Sequence, residues 1–196
     1  ILIFACMPRP KTFDERVALD AAIGEFADHG FEGTSAQMLS KAMGIGRQSM
    51  YDTYGDKWRL YLTALRHYTQ ASVGKQLADL KRPTRAIDGL RAHLSAFAED
   101  AARAPSCLGL SATSEFGCLS LEVQEISRSA HIALSGALSE RIRDGQAAGD
   151  IAADIDIEDA TDFLIATLSS IKLAARGGAP ETALRSVAAM ALRALT

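Results

Sequence analysis

The chain has 196 residues, of which 48% are hydrophobic and 23% are charged, and its net charge is −3. This composition is typical of a globular protein with a substantial core, and the absence of any apolar run of 18 residues excludes a membrane span. The five prolines are scattered and the apolar residues repeat with a period near 3.6, so the sequence predicts an all-α fold.

The charge is distributed unevenly along the chain. Residues 1–82 carry a net charge of +2, and residues 83–196 carry −5. This asymmetry favours an N-terminal part that binds nucleic acid, attached to an acidic body.

The first eleven residues are interpreted as an N-terminal arm. Residues 1–6, ILIFAC, are too short for a secretory segment, and we interpret them as a non-native or misassigned start before Met7. Arg9 and Lys11 make the rest of the arm basic. Two interpretations remain open for them: contact with DNA, or a solvated tail.

The first helix is expected to begin at Thr12, where Glu15 completes a capping box, and to end near Gly30. Leu19, Ile23 and Phe26 give it one apolar stripe.

Two short helices and a tight turn follow. Thr34 and Ser35 are good N-cap residues, and Gly44 is suited to end the helix that they begin. A helix of two turns then runs to Tyr54, and Asp56 can cap a longer one. Two helices joined by a short turn containing glycine form the helix-turn-helix layout.

Residues 12–62 resemble the DNA-binding domain of the TetR family of bacterial transcriptional regulators. The resemblance rests on these positions: Phe26, Gly30, Phe31, Thr34, Ser35, Ala42, Gly44, Ile45, Met50, Tyr51, Tyr54, Asp56, Lys57 and Leu60. One departure is Gly46, where the family usually has Ser or Thr. The resemblance implies a three-helix DNA-binding head at residues 12–58 and a helical-bundle body at residues 59–196 that binds an effector and dimerises.

The candidate DNA-binding residues lie around the second short helix. Arg47, Gln48 and Ser49 open that helix, and Arg and Gln can bond guanine and adenine bidentately. Thr34, Tyr51 and Lys57 are expected to bind phosphates, which would fix the register on DNA. Ser35 and Thr53 complete the set of residues predicted to contact DNA.

The body is expected to contain a long helix over residues 56–80 and then helices over 84–104, 107–116, 121–148 and 157–176, with a last one ending at 195. The resemblance implies an effector pocket in this body, and an ordinary filled core is the alternative. Its expected lining is mostly apolar and aromatic: Tyr61, Leu65, Tyr68, Leu94, Phe97, Cys107, Leu110, Thr113, Phe116, His131 and Leu134.

The helix over residues 157–176 carries two apolar stripes, and a helix that is apolar on two sides must be covered on two sides. The resemblance implies that the last two helices form a homodimer interface. We predict that its residues are Leu164, Leu168, Ile171, Ala175, Leu184, Val187, Ala191 and Leu195. The second stripe contains Phe163, Thr167, Ser170 and Ala174.

The sequence contains no catalytic motif such as HExxH, GxSxG or a Walker A loop, so we expect neither an enzyme nor a cofactor. The chain has an odd number of cysteines, Cys6, Cys107 and Cys118, which favours a protein located in the reducing cytoplasm. Cys107 and Cys118 are interpreted as small core residues. The alternative is a thiol sensor, or a metal site with His93 or His131.

These features predict a homodimeric repressor that leaves a pseudo-palindromic, double-stranded DNA operator when a small hydrophobic or aromatic effector binds. A redox- or metal-responsive regulator of the same fold, using Cys107 and Cys118, is the alternative. A helical enzyme or carrier and a protein–protein adaptor also remain open.

Overall fold

The computed structural model describes residues 13–82 and 84–196. Within these ranges the chain forms nine helices and no strand, which confirms the all-α prediction. The helices are α1 (Glu15–Gly33), α2 (Ala36–Met43), α3 (Arg47–Tyr54), α4 (Lys57–Lys81), α5 (Ala86–Arg103), α6 (Leu108–Phe116), α7 (Leu121–Ala147), α8 (Ile157–Arg176) and α9 (Glu181–Arg193). The predictions for the N-terminal arm and for Thr12 lie outside the described residues.

Side chains cap the helices of the N-terminal part. The Ser35 hydroxyl accepts a hydrogen bond from the backbone N–H three residues on at 3.2 Å, and the Asp56 carboxylate accepts an equivalent bond at 2.8 Å. The cap of α1 is Asp14, which accepts two backbone N–H groups at 2.8 and 3.2 Å. Helix α1 therefore begins at Glu15, because the Asp14 carboxylate satisfies the free N–H groups of its first turn.

The turn between α2 and α3 has the predicted form. Gly44 adopts the left-handed conformation with φ of 66°, which a residue with a Cβ adopts at a cost. Ile45 is buried in the angle between the two helices, and Met50 is fully buried on the inner face of α3. These two side chains fix α3 so that its opposite face is exposed.

One core joins the N-terminal helices to α6 and the start of α7. It contains Leu39 of α2, Met50 of α3, Leu60 of α4, Leu108 of α6 and Val123 of α7. Because the interior is continuous across these helices, movement of α6 must disturb the packing of the N-terminal helices.

The second core lies in the rest of the body. It joins α5, α7, α8 and α9 with the last turn of α4, and Leu80, Leu90, Leu138 and Leu164 are completely buried in it. Of the described helices, none is both long enough and apolar enough to cross a lipid bilayer.

Candidate DNA-binding surface and effector cavity

The first turn of α3 presents three consecutive polar side chains to solvent. Arg47, Gln48 and Ser49 are all exposed, as the sequence predicts for residues that contact bases. The Gln48 amide donates a hydrogen bond to the Asp52 carboxylate at 2.8 Å. This bond uses one of the two N–H donors of the Gln48 amide.

The residues expected to contact phosphates are in different environments. Ser35 and Tyr51 are exposed, while Thr53 is half-buried. The Lys57 ammonium lies 4.2 Å from the centre of the Phe31 ring, an arrangement that holds the cation over an aromatic face. Tyr54 is half-buried, and its hydroxyl donates to the Glu15 carbonyl at 3.2 Å.

Thr34 is the exception, and the expectation that it binds phosphate through its side chain is wrong. Thr34 is completely buried, and its hydroxyl donates to the carbonyl of Gly30 at 2.5 Å. The chain bends at Gly30, where φ is 73° and ψ is 179°, and Thr34 satisfies the carbonyl that this kink releases. Its role is to hold the end of α1.

A cavity of about 300 Å³ lies between α4, α5, α6, α7 and α8. Seven of the eleven residues predicted for the effector pocket line it: Tyr68, Phe97, Cys107, Leu110, Thr113, His131 and Leu134. Helix α8 completes the wall with residues that include Ile165, Leu168 and Lys172. The cavity has the mostly apolar lining that is usual for a small-molecule site.

The other four predicted pocket residues do not line this cavity. Leu65 belongs to the first core and Leu94 to the second. Tyr61 and Phe116 pack in an aromatic cluster with Phe31, where the ring centres lie 5.2–5.7 Å apart. Helical periodicity places these residues inward, but α1 occupies the space that we assigned to a ligand.

A second, more polar cavity of about 110 Å³ adjoins the first. Ser72, Gln76, Phe97 and Lys172 line both cavities, which therefore share a wall. His93 also lines the smaller cavity, where it is only 1% exposed, and burial lowers its pKa to about 4. The imidazole is therefore neutral near neutral pH.

Cys107 and Cys118 are free thiols in unlike environments. Cys107 is half-buried and lines the larger cavity, whereas Cys118 is exposed. The interpretation of Cys118 as a core residue is therefore wrong, because the turn after α6 leaves its side chain in solvent. Burial, followed by the neighbouring Cys107 thiol, raises the pKa of Tyr68. The described residues include no group of three His, Cys, Asp or Glu side chains that could hold a metal ion.

Helix α6 is bound directly to the end of α1. The Glu115 carboxylate accepts a hydrogen bond from the backbone N–H of Phe31 at 2.7 Å, and a Cβ at Gly30 would collide with that carboxylate. Arg176 of α8 donates to the carbonyl of Ala27 at 3.0 Å. The local sequence pattern around Glu115 gives no sign of this contact, because α1 lies far from α6 in the chain.

The predicted dimer stripe faces the interior of its own chain. Leu164, Leu168, Ile171, Ala175, Leu184, Ala191 and Leu195 are all buried in the second core, so the single chain already covers them. Val187 alone of the eight is exposed, at 41%. The large apolar side chains that α8 and α9 leave in solvent are Phe163, Leu173, Val187 and Met190. The prediction that these seven residues form a dimer interface therefore does not fit their burial, because helical periodicity identifies an apolar face but not what covers it.

Two protein-family models match the chain. The model described as "Tetracyclin repressor-like, C-terminal domain" matches residues 83–191. The model described as "Bacterial regulatory proteins, tetR family" matches residues 18–64, which include α2 and α3.

Two known proteins are similar to the chain in sequence. The HTH-type transcriptional repressor ComR of Escherichia coli (strain K12) is 26% identical over 196 aligned positions, covering 94% of this chain and 90% of ComR. The uncharacterised HTH-type transcriptional regulator YezE of Bacillus subtilis (strain 168) is 40% identical over 85 residues. That match covers 43% of this chain and 44% of YezE, which is less than half of either protein.

Solved structures are similar over almost the whole chain. A cysteine mutant of the TetR family transcriptional regulator CifR, complexed with a 26-bp double-strand operator DNA, has a TM-score of 0.84 and 29% identity. That match covers 96% of this chain and 100% of CifR. A TetR-family regulator from Agrobacterium tumefaciens has a TM-score of 0.83 at 21% identity, covering 92% and 96% of the two chains, and shows the same fold.

Proposed function

Because this chain belongs to the TetR family of DNA-binding transcriptional regulators, we propose that it is a homodimeric repressor released from a pseudo-palindromic operator by a small hydrophobic or aromatic effector. We place the boundary between the head, residues 12–58, and the body, residues 59–196, inside α4. The operator-bound structure of CifR and the repressor ComR support DNA binding and repression as properties of similar proteins.

The observation that carries the proposal is the position of α6. One face of this helix lines the effector cavity with Leu110 and Thr113, and its other face packs into the first core through Leu108 and Ala112. Glu115 then holds the end of α1. A ligand that shifts α6 would change the position of α1 and hence of the head. The ligand would favour release from the operator to the extent that it binds the released conformation more tightly than the DNA-bound one.

On DNA, α3 would enter the major groove with Arg47 and Gln48 on base edges. Tyr51, Lys57 and Ser35 would contact phosphates and set the register. The first N–H groups of α3 receive no side-chain cap from Gly46, so they remain available to a phosphate oxygen.

Selection of bound sequences from random duplex DNA tests this assignment. The expected product is a pseudo-palindrome with half-sites about one helical turn (~10 bp), or a multiple of it, apart. On that operator, Gln48→Ala should lose about 1–3 kcal/mol and relax preference at one base step, whereas Lys57→Ala should weaken binding to all sequences alike.

Lys81→Ala is the matched control for Lys57→Ala. Both lysines belong to α4, but Lys81 is exposed at its opposite end, about 36 Å away for a helix of this length. It should leave DNA binding and its salt dependence unchanged. Equal losses from both lysine variants would contradict the assigned DNA surface.

The exposed apolar side chains of α8 and α9 support a dimer built on that face. Leu173 is 62% exposed and Met190 is 60% exposed, and an apolar face of this kind is typical of an interface. A second copy of the chain would cover it through a two-fold axis, which suits a pseudo-palindromic operator.

Two charge substitutions on α8 distinguish the face that packs inside the chain from the face proposed to contact a second copy. Leu173→Glu should give a folded monomer in light scattering, because it places unpaired charges at the interface but lies in solvent within one chain. Leu168→Glu should instead lower the melting temperature, because Leu168 is only 4% exposed inside the core. A Leu173→Glu protein that remains a dimer would place the interface elsewhere.

The second candidate is a thiol-responsive regulator of the same fold. It is favoured by one observation: Cys107 lines the larger cavity, with Tyr68 and Lys172 in the same wall. In this case Cys107→Ser should abolish operator release by oxidants, while Cys118→Ser should keep it. If oxidants release neither the wild-type protein nor the Cys118→Ser variant, this candidate is excluded.

A further inference from the structure

The smaller cavity contains buried polar atoms that lack partners. Neither ring nitrogen of His93 has a hydrogen-bond partner among the described residues, and the same is true of the Gln76 side-chain carbonyl oxygen. The Gln76 amide nitrogen is engaged, since it donates to the Ser72 carbonyl at 3.4 Å. Buried polar groups are normally paired, so three such atoms on two side chains that line one cavity indicate a site for a polar group from outside the chain.

The unpaired atoms include both a donor and acceptors. A neutral imidazole has one N–H donor and one acceptor nitrogen, and the amide oxygen of Gln76 is an acceptor. The bound group must therefore donate and accept hydrogen bonds. A group that only accepts would leave the Gln76 oxygen unpaired.

The charged residues of the cavity already have partners. Lys75 forms an ion pair with Asp100, and the Arg82 guanidinium lies 3.7 Å from Asp79. The Lys172 ammonium donates to the carbonyl of Ala104 at 3.2 Å. Two lysines and two carboxylates line the cavity, so their charges cancel. This balance favours a neutral ligand group over a carboxylate.

We propose that the effector is a small neutral molecule with an apolar body and a terminal carboxamide-type group, and that His93 and Gln76 bind this group. The apolar body would lie in the larger cavity against Tyr68 and Leu134. The carboxamide group would reach the smaller cavity between the side chains that line both cavities, which are Ser72, Gln76, Phe97 and Lys172. The amide oxygen would accept from the His93 N–H, and the amide N–H would donate to the Gln76 oxygen. This inference rests on the proposed function, because it names the ligand class of the effector cavity.

Three probes with the same phenylpropyl body test the inference on the full-length protein by calorimetry near neutral pH. They are 3-phenylpropanamide, 3-phenylpropanoate and propylbenzene, and the phenyl ring suits the aromatic walls at Tyr68 and Phe97. The amide should bind at least about tenfold more tightly than either of the others, because only it pairs both kinds of unsatisfied atom.

Other orders of affinity overturn the inference. Equal binding of propylbenzene would show that the polar cavity does not bind the ligand, and tighter binding of the carboxylate would indicate an anion site at Lys172. Failure of all three probes to bind would also overturn it. The proposed function is tested separately, because selection of operator DNA requires no effector.

Two variants connect the preference to the named residues. His93→Leu and Gln76→Leu should each reduce the preference for the amide over propylbenzene to less than about threefold, while propylbenzene still binds. Gln70→Leu is the control, since Gln70 is an exposed glutamine of the same helix, and it should keep the full preference. If His93→Leu does not fold, Gln76→Leu decides alone, and full amide preference in that variant overturns the assignment.

Discussion

Replacement of His93 by glutamine tests whether one buried imidazole makes the stability of this protein depend on pH. Burial lowers the pKa of His93 from its ordinary value of 6.5 to about 4; the nearby Asp79 carboxylate opposes this change and Lys75 adds to it. Between these two values the unfolded chain binds a proton that the folded protein does not bind. The free energy of unfolding must therefore fall as the pH drops through this window.

The size of the effect follows from the two pKa values. At about pH 5, protonation of the unfolded chain lowers the free energy of unfolding by about 2 kcal/mol. Above about pH 7.5 both states are neutral at His93 and the penalty vanishes, whereas well below about pH 4 it is constant near about 3 kcal/mol. Asp100 and Lys172 line the same cavity and are present in both the wild-type and the His93→Gln protein, so their effect on stability cancels in the comparison.

Urea unfolding at about pH 7.5 and about pH 5 measures the difference. The wild-type protein should lose about 2 kcal/mol more on acidification than His93→Gln, because glutamine fills similar space but binds no proton. Ser72→Ala is the matched control: it also alters the wall of this cavity but removes no titratable group, so it should keep the wild-type loss. Identical losses in the wild-type and His93→Gln proteins would refute the reasoning.

Three further predictions concern the fold. Gly30→Ala should lower stability, because the new Cβ would meet the Glu115 carboxylate. Adding Glu115→Ala should restore part of the loss. If the two effects are strictly additive in a double-mutant cycle, the contact is contradicted. Asp56→Ala should cost about 1 kcal/mol in urea unfolding, since the side chain caps α4, and an unchanged midpoint would exclude that role. Leu80→Ala should lower the free energy of unfolding by about 2–5 kcal/mol, because Leu80 is completely buried. Leu119 is 84% exposed, so Leu119→Ala should change it by less than about 0.5 kcal/mol. Similar losses from both variants in the same assay would contradict this difference in burial.

The polar side chains near the DNA-binding surface show how far local patterns can be read. Ser35 and Asp56 cap their helices as predicted, because capping involves only residues within one turn. Thr34 has an equally good N-cap side chain, yet it is buried. The Thr34 hydroxyl instead bonds the Gly30 carbonyl at the kink, where Glu115 of the distant helix α6 packs against Gly30.

The larger cavity shows a different limit. Seven of its residues could be predicted, because helical periodicity identifies inward-facing positions. Periodicity does not state what fills the space they face, so Tyr61 and Phe116 were assigned to a ligand although α1 packs against them. Lys172 and Gln76, which contribute polar groups to the cavity wall, lie on helix positions with no distinctive sequence signal.

The sequence by itself determined the all-α class, the bounds of α3 and α8, the helix-turn-helix and the apolar stripe of α8 that contains Leu164, Leu168 and Ile171. These properties depend on glycine conformation, capping and helical period, all of which act over a few neighbouring residues. Only the tertiary structure decided which face of α8 is internal, which residues surround the cavity, and that Glu115 binds α1. Those outcomes depend on which distant helices pack together, since burial is a property of the assembled helices and not of a single one.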